Sequence, residues 1–245
     1  MTSVTKLEIA KMIDHSLLHP TMDDQVLKDG IELAKKYNVA SVCIKPYAVK
    51  MAAEMLEGTD VMVCTVIGFP HGNSRVDVKV YETERAIEDG ALEIDMVVNV
   101  GKVLSEDWDY VHHEIAAIVS TTKKHGAALK VIFENDFLPE DKYKIRLCEI
   151  CSELKVEFVK TSTGYGYVKQ ADGSYNYRGA THADLILMRR HSDPQVQVKA
   201  AGGVRTLEDT LKVRELGVTR IGATATESII LAVEGQEGGA TPEGY

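Results

Sequence analysis

Short, nearly continuous apolar runs alternate along this chain with longer stretches in which apolar positions recur every three or four residues. The runs lie at 39–45, 61–69, 93–99, 128–134, 157–163, 197–203 and 219–224, and 13–18 is a weaker first member. Runs without polar alternation predict strands covered on both faces, as in a parallel sheet. Between them, Val76, Val80, Thr83 and Ile87 keep the spacing of one helix face. Trp108, Val111, Ile115 and Ile118 do the same, as do Leu27, Ile31 and Ala34. Gly90, Gly126 and Gly217 stand where helix C-caps belong, and Asp23, Ser105 and Thr206 are the expected N-caps.

Eight strand-like runs separated by helices, with an extra helix at about 5–12, predict an α/β fold: one (β/α)8 barrel domain over 1–233. A doubly wound sheet would want a Gly-x-Gly-x-x-Gly turn after its first strand, and none is present. Two segments interrupt the rhythm. Between the sixth strand and its helix, Gly164 to Gly179 inserts about 15 residues where about 2–6 are usual. It carries four of the ten tyrosines, which predicts a loop folded over something. The end, 234–245, has the composition of a mobile tail.

Composition narrows the class. The chain has 245 residues, with 28 Lys and Arg against 37 Asp and Glu, a net charge of −9. That balance argues against nucleic acid or an anionic membrane as partner, since Lys and Arg hold those surfaces. Four cysteines are too few for a disulfide scaffold and fit a reducing cytoplasm. No apolar run approaches the roughly 20 residues that span a bilayer, and Met1 to Lys6 lacks the apolar core of a signal peptide.

The strands carry charges in mid-run. Asp95 stands between Ile94 and Met96, Lys130 between Leu129 and Val131, Lys160 between Val159 and Thr161, and Lys199 between Val198 and Ala200. Strand alternation turns the apolar neighbours toward the helices and the charges toward the barrel interior. An unpaired ion there costs several kcal/mol or more. Structural ion pairs, Asp95 with Lys130 for instance, are one solution. Lysines on the consecutive strands six and seven point further, because neighbouring strands lie about 4.8 Å apart. Like charges crowded in a poorly solvated cavity drive one amine to release its proton. A neutral amine near pH 7 is what attack on a carbonyl to form a Schiff base requires.

Phe158-Val159-Lys160-Thr161-Ser162-Thr163-Gly164 and Val198-Lys199-Ala200-Ala201-Gly202-Gly203-Val204-Arg205 resemble the two signature strands of the deoxyribose-phosphate aldolase family. Glu93-Ile94-Asp95-Met96-Val97-Val98-Asn99 is similar to its fourth strand. Ile13 to Leu18, Val42-Cys43-Ile44, and Val66 to Gly72 also match, so the resemblance runs from about residue 12 to about 233 with the motifs in order. It implies a class I aldolase on a (β/α)8 barrel, without metal or cofactor beyond a covalent Schiff base, reversibly cleaving 2-deoxy-D-ribose 5-phosphate to acetaldehyde and D-glyceraldehyde 3-phosphate. It further implies a cytoplasmic homo-oligomer, commonly a dimer. By position, Lys160 is the Schiff-base nucleophile, Lys199 the neighbouring ammonium that keeps that amine unprotonated, and Asp95 the proton relay, acting through a water. Asp14 and Lys130 match polar residues behind the catalytic groups. Cys43 matches a pocket-lining cysteine, although a small buried hydrophobe reads equally well.

Barrels commonly bind phosphate in the loops after strands seven and eight. Gly202, Gly203, Val204 and Arg205 follow strand seven, and Gly222 and Thr224 follow strand eight; with Thr161 they form the expected substrate and phosphate set. Glycines let the backbone approach the oxygens, Thr224 offers a hydroxyl and Arg205 a charge; a Gly-Gly pair is also an ordinary turn. Family members usually carry a serine pair where this chain has Thr224-Ala225. A terminal tyrosine like Tyr245 ends some bacterial relatives, which implies a residue that dips into the mouth and helps move a proton; a disordered tail is the alternative.

Other signals read as structure. Cys148-x-x-Cys151 lies in a helical stretch without a second pair and is expected in the core. His15 and His19 are spoiled as a metal pair by Pro20 and the strand context, and His112-His113 sits on a charged, solvated helix. Apart from the resemblance, three readings stay open: an aldolase with a shifted substrate, a sugar-phosphate isomerase or epimerase using Lys160 or Asp95 for enolisation, and a silent phosphate-binding barrel.

Overall fold

A computed structural model describes residues 4–233 and 235. Eight parallel strands close into a barrel: β1 (Ile13–Leu17), β2 (Ser41–Ile44), β3 (Met62–Ile67), β4 (Glu93–Val97), β5 (Ala128–Ile132), β6 (Phe158–Lys160), β7 (Gln197–Ala201) and β8 (Val218–Ala223). Each pairs with its neighbour in sequence, and β8 closes on β1 through Ile13↔Ile221 and Asp14↔Gly222. The expected (β/α)8 barrel is therefore the observed one, preceded by the short helix α1 (Lys6–Ala10).

Helices α2 (Asp24–Tyr37), α3 (Val49–Met55), α4 (Val76–Glu88), α5 (Val100–Leu104), α6 (Trp108–His125), α7 (Asp141–Glu153), α8 (His182–His191), α9 (Leu207–Glu215) and α10 (Thr226–Val233) surround the strands. The hydrophobic core lies between the two layers. Outward-facing Val42, Ile94, Met96, Leu129, Val131, Val159 and Val198 join Leu27, Ile31, Val111, Ile115, Ile118 and Leu147 of the helices in one buried cluster. Each such side chain contributes about 1.5–3 kcal/mol by leaving water. Among the described residues, no helix is long and apolar enough to cross a membrane.

Several caps fall where the sequence places them. Asp23 and Thr206 accept from the backbone N–H groups of Val26 and Asp209, and Gly126 closes α6 at φ 73°. Ser105 does not cap α6. The chain first makes the short helix α5, Ser105 becomes its C-cap, and Asp107 caps α6 by accepting from Tyr110 N–H. In α4 the fully buried face is Lys79, Thr83 and Ala86, with Val76, Val80 and Ile87 at its margin. The reason is a buried ion pair: Lys79 Nζ lies 2.7 Å from Glu114 Oε1 on α6.

The insertion after β6 holds an antiparallel pair, Val168–Lys169 with Tyr175–Asn176, turned at Asp172-Gly173. An Asp-Gly step between short β-prone segments is a hairpin signal in its own right. The predicted tail 234–245, and Tyr245 with it, lies outside the described residues apart from Gly235.

Candidate active site

Inward-facing residues of the barrel are charged where a small barrel is normally apolar. Strand register explains who meets whom. Asp95 is opposite Lys130 across β4 and β5, and Lys160 is opposite Lys199 across β6 and β7. A register shift in β8 between Val218 and Arg220 puts Arg220 opposite Lys199, on the inner face.

Asp95 is the hub. Its Oδ2 accepts from Lys160 Nζ at 2.6 Å and Lys199 Nζ at 2.8 Å, while its Oδ1 accepts from Lys130 Nζ at 2.9 Å and Cys64 Sγ at 3.2 Å. Lys130 also reaches Glu93 Oε2 at 2.6 Å. Arg220 bridges Asp14 Oδ1 at 2.5 Å and Glu93 Oε1 at 3.0 Å. Asp14 accepts from Ser41 Oγ at 2.6 Å and turns its other oxygen to Lys199. Three carboxylates (Asp14, Glu93, Asp95) thus face four basic side chains (Lys130, Lys160, Lys199, Arg220), and Lys160 stands last on its short strand, level with Lys199.

The titrations follow from this packing. Burial opposes charge on Asp95, yet Lys130, Lys160 and Lys199 together outweigh it and hold the carboxyl well below the usual carboxylate range. Asp14 is lowered in the same way, with Lys199 as the main opposing cation. Burial works against the Lys199 ammonium, but Asp14 and Asp95 more than offset it and raise its pKa, so Lys199 keeps its proton. Burial and the hydrogen bond with Cys43 push the Cys64 thiol far up.

The phosphate candidates sit at the same end of the barrel. Gly202 and Gly203 adopt φ 84° and 93° in the turn after β7, where Gly202 C=O accepts from Ala180 N–H at 3.0 Å. Gly222, expected after strand eight, lies within β8 instead, where a Cβ would meet Lys199 Cε at 3.7 Å, an ordinary contact. Val204 is buried, whereas Arg205 and Thr224 are exposed. Thr161 is placed differently from the others: its hydroxyl donates to Ala201 C=O at 3.1 Å and accepts from Ala201 N–H at 3.0 Å, stapling β6 to β7 beside Lys160. Its neighbour Ser162 keeps a buried hydroxyl with no hydrogen-bond partner among the described residues.

Two sets of ligand atoms lie close enough to hold a cation: Cys43, Cys64 and Asp95, and Asp14, Cys64 and Glu93, each within 4.8 Å. Their carboxylates are already paired with Lys130, Lys160, Lys199 or Arg220, which an incoming cation would have to displace. Cys148 and Cys151 are both buried in the core, as expected, with the Cys148 thiol pushed up to about 12 by burial.

Residues 8–226 match the model of the DeoC/LacD family aldolases. The chain belongs to that family. It is 53% identical over 223 residues to the deoxyribose-phosphate aldolase of Rhodopirellula baltica, covering 91% of this chain and 88% of that one. The deoxyribose-phosphate aldolase of Bacillus cytotoxicus is 47% identical over 226 residues, covering 92% and 96%. Among solved structures, a deoxyribose phosphate aldolase from Aeropyrum pernix, described as having a unique tetrameric structure, superposes with a TM-score of 0.82 at 27% identity, covering 94% of this chain and 92% of that one.

In this DeoC/LacD aldolase, several members of the network escape a reading by strand charges alone. Parity carried forward from Val218 turns Arg220 outward; only the bulge turns it in. Glu93 opens its strand, and Cys64 and Ser41 carry no formal charge. Glu134 and Asp136 lie in the turn after β5, which has no period to betray them. Glu134 is 1% exposed at φ 58° and accepts from Thr163 N–H and hydroxyl; burial raises its carboxyl above the usual value.

Proposed function

We propose that the chain is a Schiff-base aldolase that reversibly cleaves 2-deoxy-D-ribose 5-phosphate to acetaldehyde and D-glyceraldehyde 3-phosphate, with Lys160 as nucleophile. The observation that carries the reading is the Asp95 oxygen shared by Lys160 and Lys199 inside the barrel. The names of its relatives support the substrate. The free amine of Lys160 attacks the aldehyde carbon, C1, of the open-chain sugar. The oxygen leaves as water, and a protonated imine forms. Removal of the proton from the C3 hydroxyl then breaks the C2–C3 bond, whose electron pair passes into the imine as an enamine. Glyceraldehyde 3-phosphate departs, C2 takes up a proton, and water releases acetaldehyde.

The neighbours have distinct tasks in this scheme. Lys199, which keeps its proton, stabilises negative charge on the carbinolamine oxygen. Asp95 stays ionised, so it passes protons along through a water rather than storing them. Lys130, Asp14, Glu93 and Arg220 hold Asp95 and Lys199 in place. The amides after β7, with Gly222, Thr224 and the start of α10, receive the phosphate.

Incubating the protein with 2-deoxy-D-ribose 5-phosphate should release acetaldehyde, measured by its reduction with NADH and alcohol dehydrogenase. The Lys160→Ala variant should release none, and unphosphorylated deoxyribose should react with a much poorer kcat/KM. No acetaldehyde from the unmodified protein, or full activity in the variant, would overturn the reading. The resemblance also implies a dimer, which sedimentation would separate from a tetramer.

A further inference from the structure

Two kinds of surface lie beside the charged network. The Gly202–Gly203 turn after β7 is one. On the other side Cys43, Cys64 and Val66 make a small apolar cluster of their own, separate from the main core and joined by half-buried Leu18 and Phe69. Cys64 touches one oxygen of Asp95, and the other oxygen holds Lys160. The cluster therefore adjoins the carboxylate that holds the amine.

Tyr165 packs against Phe69 at the edge of this cluster. Its ring meets Phe69 edge-on with centroids 5.6 Å apart and lies 6.4 Å from the His19 ring. Burial raises its phenol, and Cys43 is among the groups whose charge it would feel. The position is built rather than incidental. Tyr165 N–H donates to Thr163 Oγ1 at 2.9 Å, and Thr163 is bound to Glu134. Gly166 packs so closely that a Cβ there would come within 2.6 Å of Glu134 Cδ. At the far end of the insertion, Asp136 accepts from Arg178 N–H at 2.7 Å and Gly179 N–H at 2.9 Å. The turn after β5 thus grips both ends of the segment that carries Tyr165.

We propose that Tyr165 is a specificity-determining residue, its ring roofing the apolar cluster so that the aldehyde joined to Lys160 can carry only a short alkyl group. This deepens the aldolase reading and rests on it. Imine formation joins the amine to the aldehyde carbon with loss of water, and the alkyl group must then lie against a surface that asks for no hydrogen bonds. The Cys43–Val66–Phe69 side is that surface. In this arrangement the methyl group of acetaldehyde lies against Cys43 and Val66, and each added methylene is carried toward Phe69 and Tyr165. Discrimination by one methylene in an apolar pocket is typically about 10–200-fold.

The test is the rate of the borohydride-trapped adduct with acetaldehyde, propanal and butanal in the unmodified protein, Tyr165→Ala and Tyr165→Phe. Tyr165→Ala should raise the butanal-to-acetaldehyde ratio by about tenfold or more, and Tyr165→Phe should keep the original ratio. An unchanged ratio in the alanine variant overturns the proposal, as does a phenylalanine variant that shifts as far, because the hydroxyl would then be responsible. Should Tyr165→Ala not fold, Tyr165→Val replaces it with the same expected direction, and an unchanged ratio there overturns the proposal equally. No adduct with acetaldehyde in the unmodified protein defeats the aldolase reading and this inference with it. An adduct without a change of preference defeats the role of Tyr165 alone.

Discussion

Lys160 and Lys199 are register partners on adjacent strands, and their side-chain nitrogens bond the same oxygen of Asp95, at 2.6 and 2.8 Å. Two amines on one carboxylate oxygen cannot be equivalent. Lys199 has a second carboxylate, Asp14, whereas among the described residues Lys160 pairs with Asp95 alone. That asymmetry supports the proposed division of roles, with Lys199 holding a charge and Lys160 meeting a carbonyl.

Replacing Lys199 with methionine should therefore damage both stability and chemistry. Asp14 and Asp95 each lose a buried cation, and breaking a buried pair costs about 3–5 kcal/mol. Losing the charge beside the carbinolamine oxygen should slow adduct formation with acetaldehyde by about 10²-fold or more. Urea unfolding and single-turnover trapping check the two parts. A trapping rate within about threefold of the unmodified protein's would remove Lys199 from the mechanism.

His15 makes stability depend on pH in a defined window. It is 4% exposed on the outer side of β1, its Nδ1 lies 2.8 Å from Thr226 Oγ1, and burial lowers its pKa from 6.5 to about 4. A folded pKa below the unfolded one means the unfolded chain takes the proton first. The contribution is complete above about pH 6.5, falls as the pH drops, and is gone by about pH 4, on the order of 3 kcal/mol in all. The His15→Gln variant should flatten the urea midpoint across that window. A slope equal to that of the unmodified protein would mean that another group titrates there.

Lys79 and Glu114 should behave unlike an ordinary buried ion pair. Lys79 Nζ also donates to Gly72 C=O and Val97 C=O, each at 2.7 Å, and Glu114 Oε2 accepts from Asn99 N–H at 2.9 Å. Lys79→Met alone should cost about 3–5 kcal/mol. Many such pairs can be exchanged for two apolar residues at little cost, but here three backbone groups would lose their partners. The Lys79→Met, Glu114→Leu double variant should consequently remain destabilised by about 2 kcal/mol or more in chemical denaturation. Full recovery would show that those backbone bonds contribute nothing.

Much of this arrangement is legible in the chain itself. Asp95, Lys130, Lys160 and Lys199 announce themselves because a charge inside a doubly covered strand has to face inward, and strand order then makes neighbours of them. Lys79 is invisible to the same logic: on an amphipathic helix a lysine reads as solvent-facing unless its buried acid, 35 residues on, is already known. Arg220 depends on a bulge, and Glu134 and Asp136 act from a turn whose shape no periodicity encodes. The insertion was visible as a tyrosine-rich excess; what it covers was not, because that depends on contacts with residues far from it in sequence.

The insertion also supports the turn proposed for phosphate. Gly179 has φ 65°, and a Cβ there would fall 2.6 Å from Gly202 C=O. Gly179→Ala should push the Gly202–Gly203 turn aside, raising KM for the phosphorylated sugar by about tenfold or more while leaving acetaldehyde trapping on Lys160 within about twofold. Unaltered KM would place the phosphate elsewhere.

The central claim is that one amine, Lys160, makes a covalent imine. Mass spectrometry after borohydride reduction with acetaldehyde tests it directly. One ethyl group, about 28 Da, is expected on Lys160 alone and absent from the Lys160→Ala variant; no adduct, or an adduct that persists in that variant, rules the imine out.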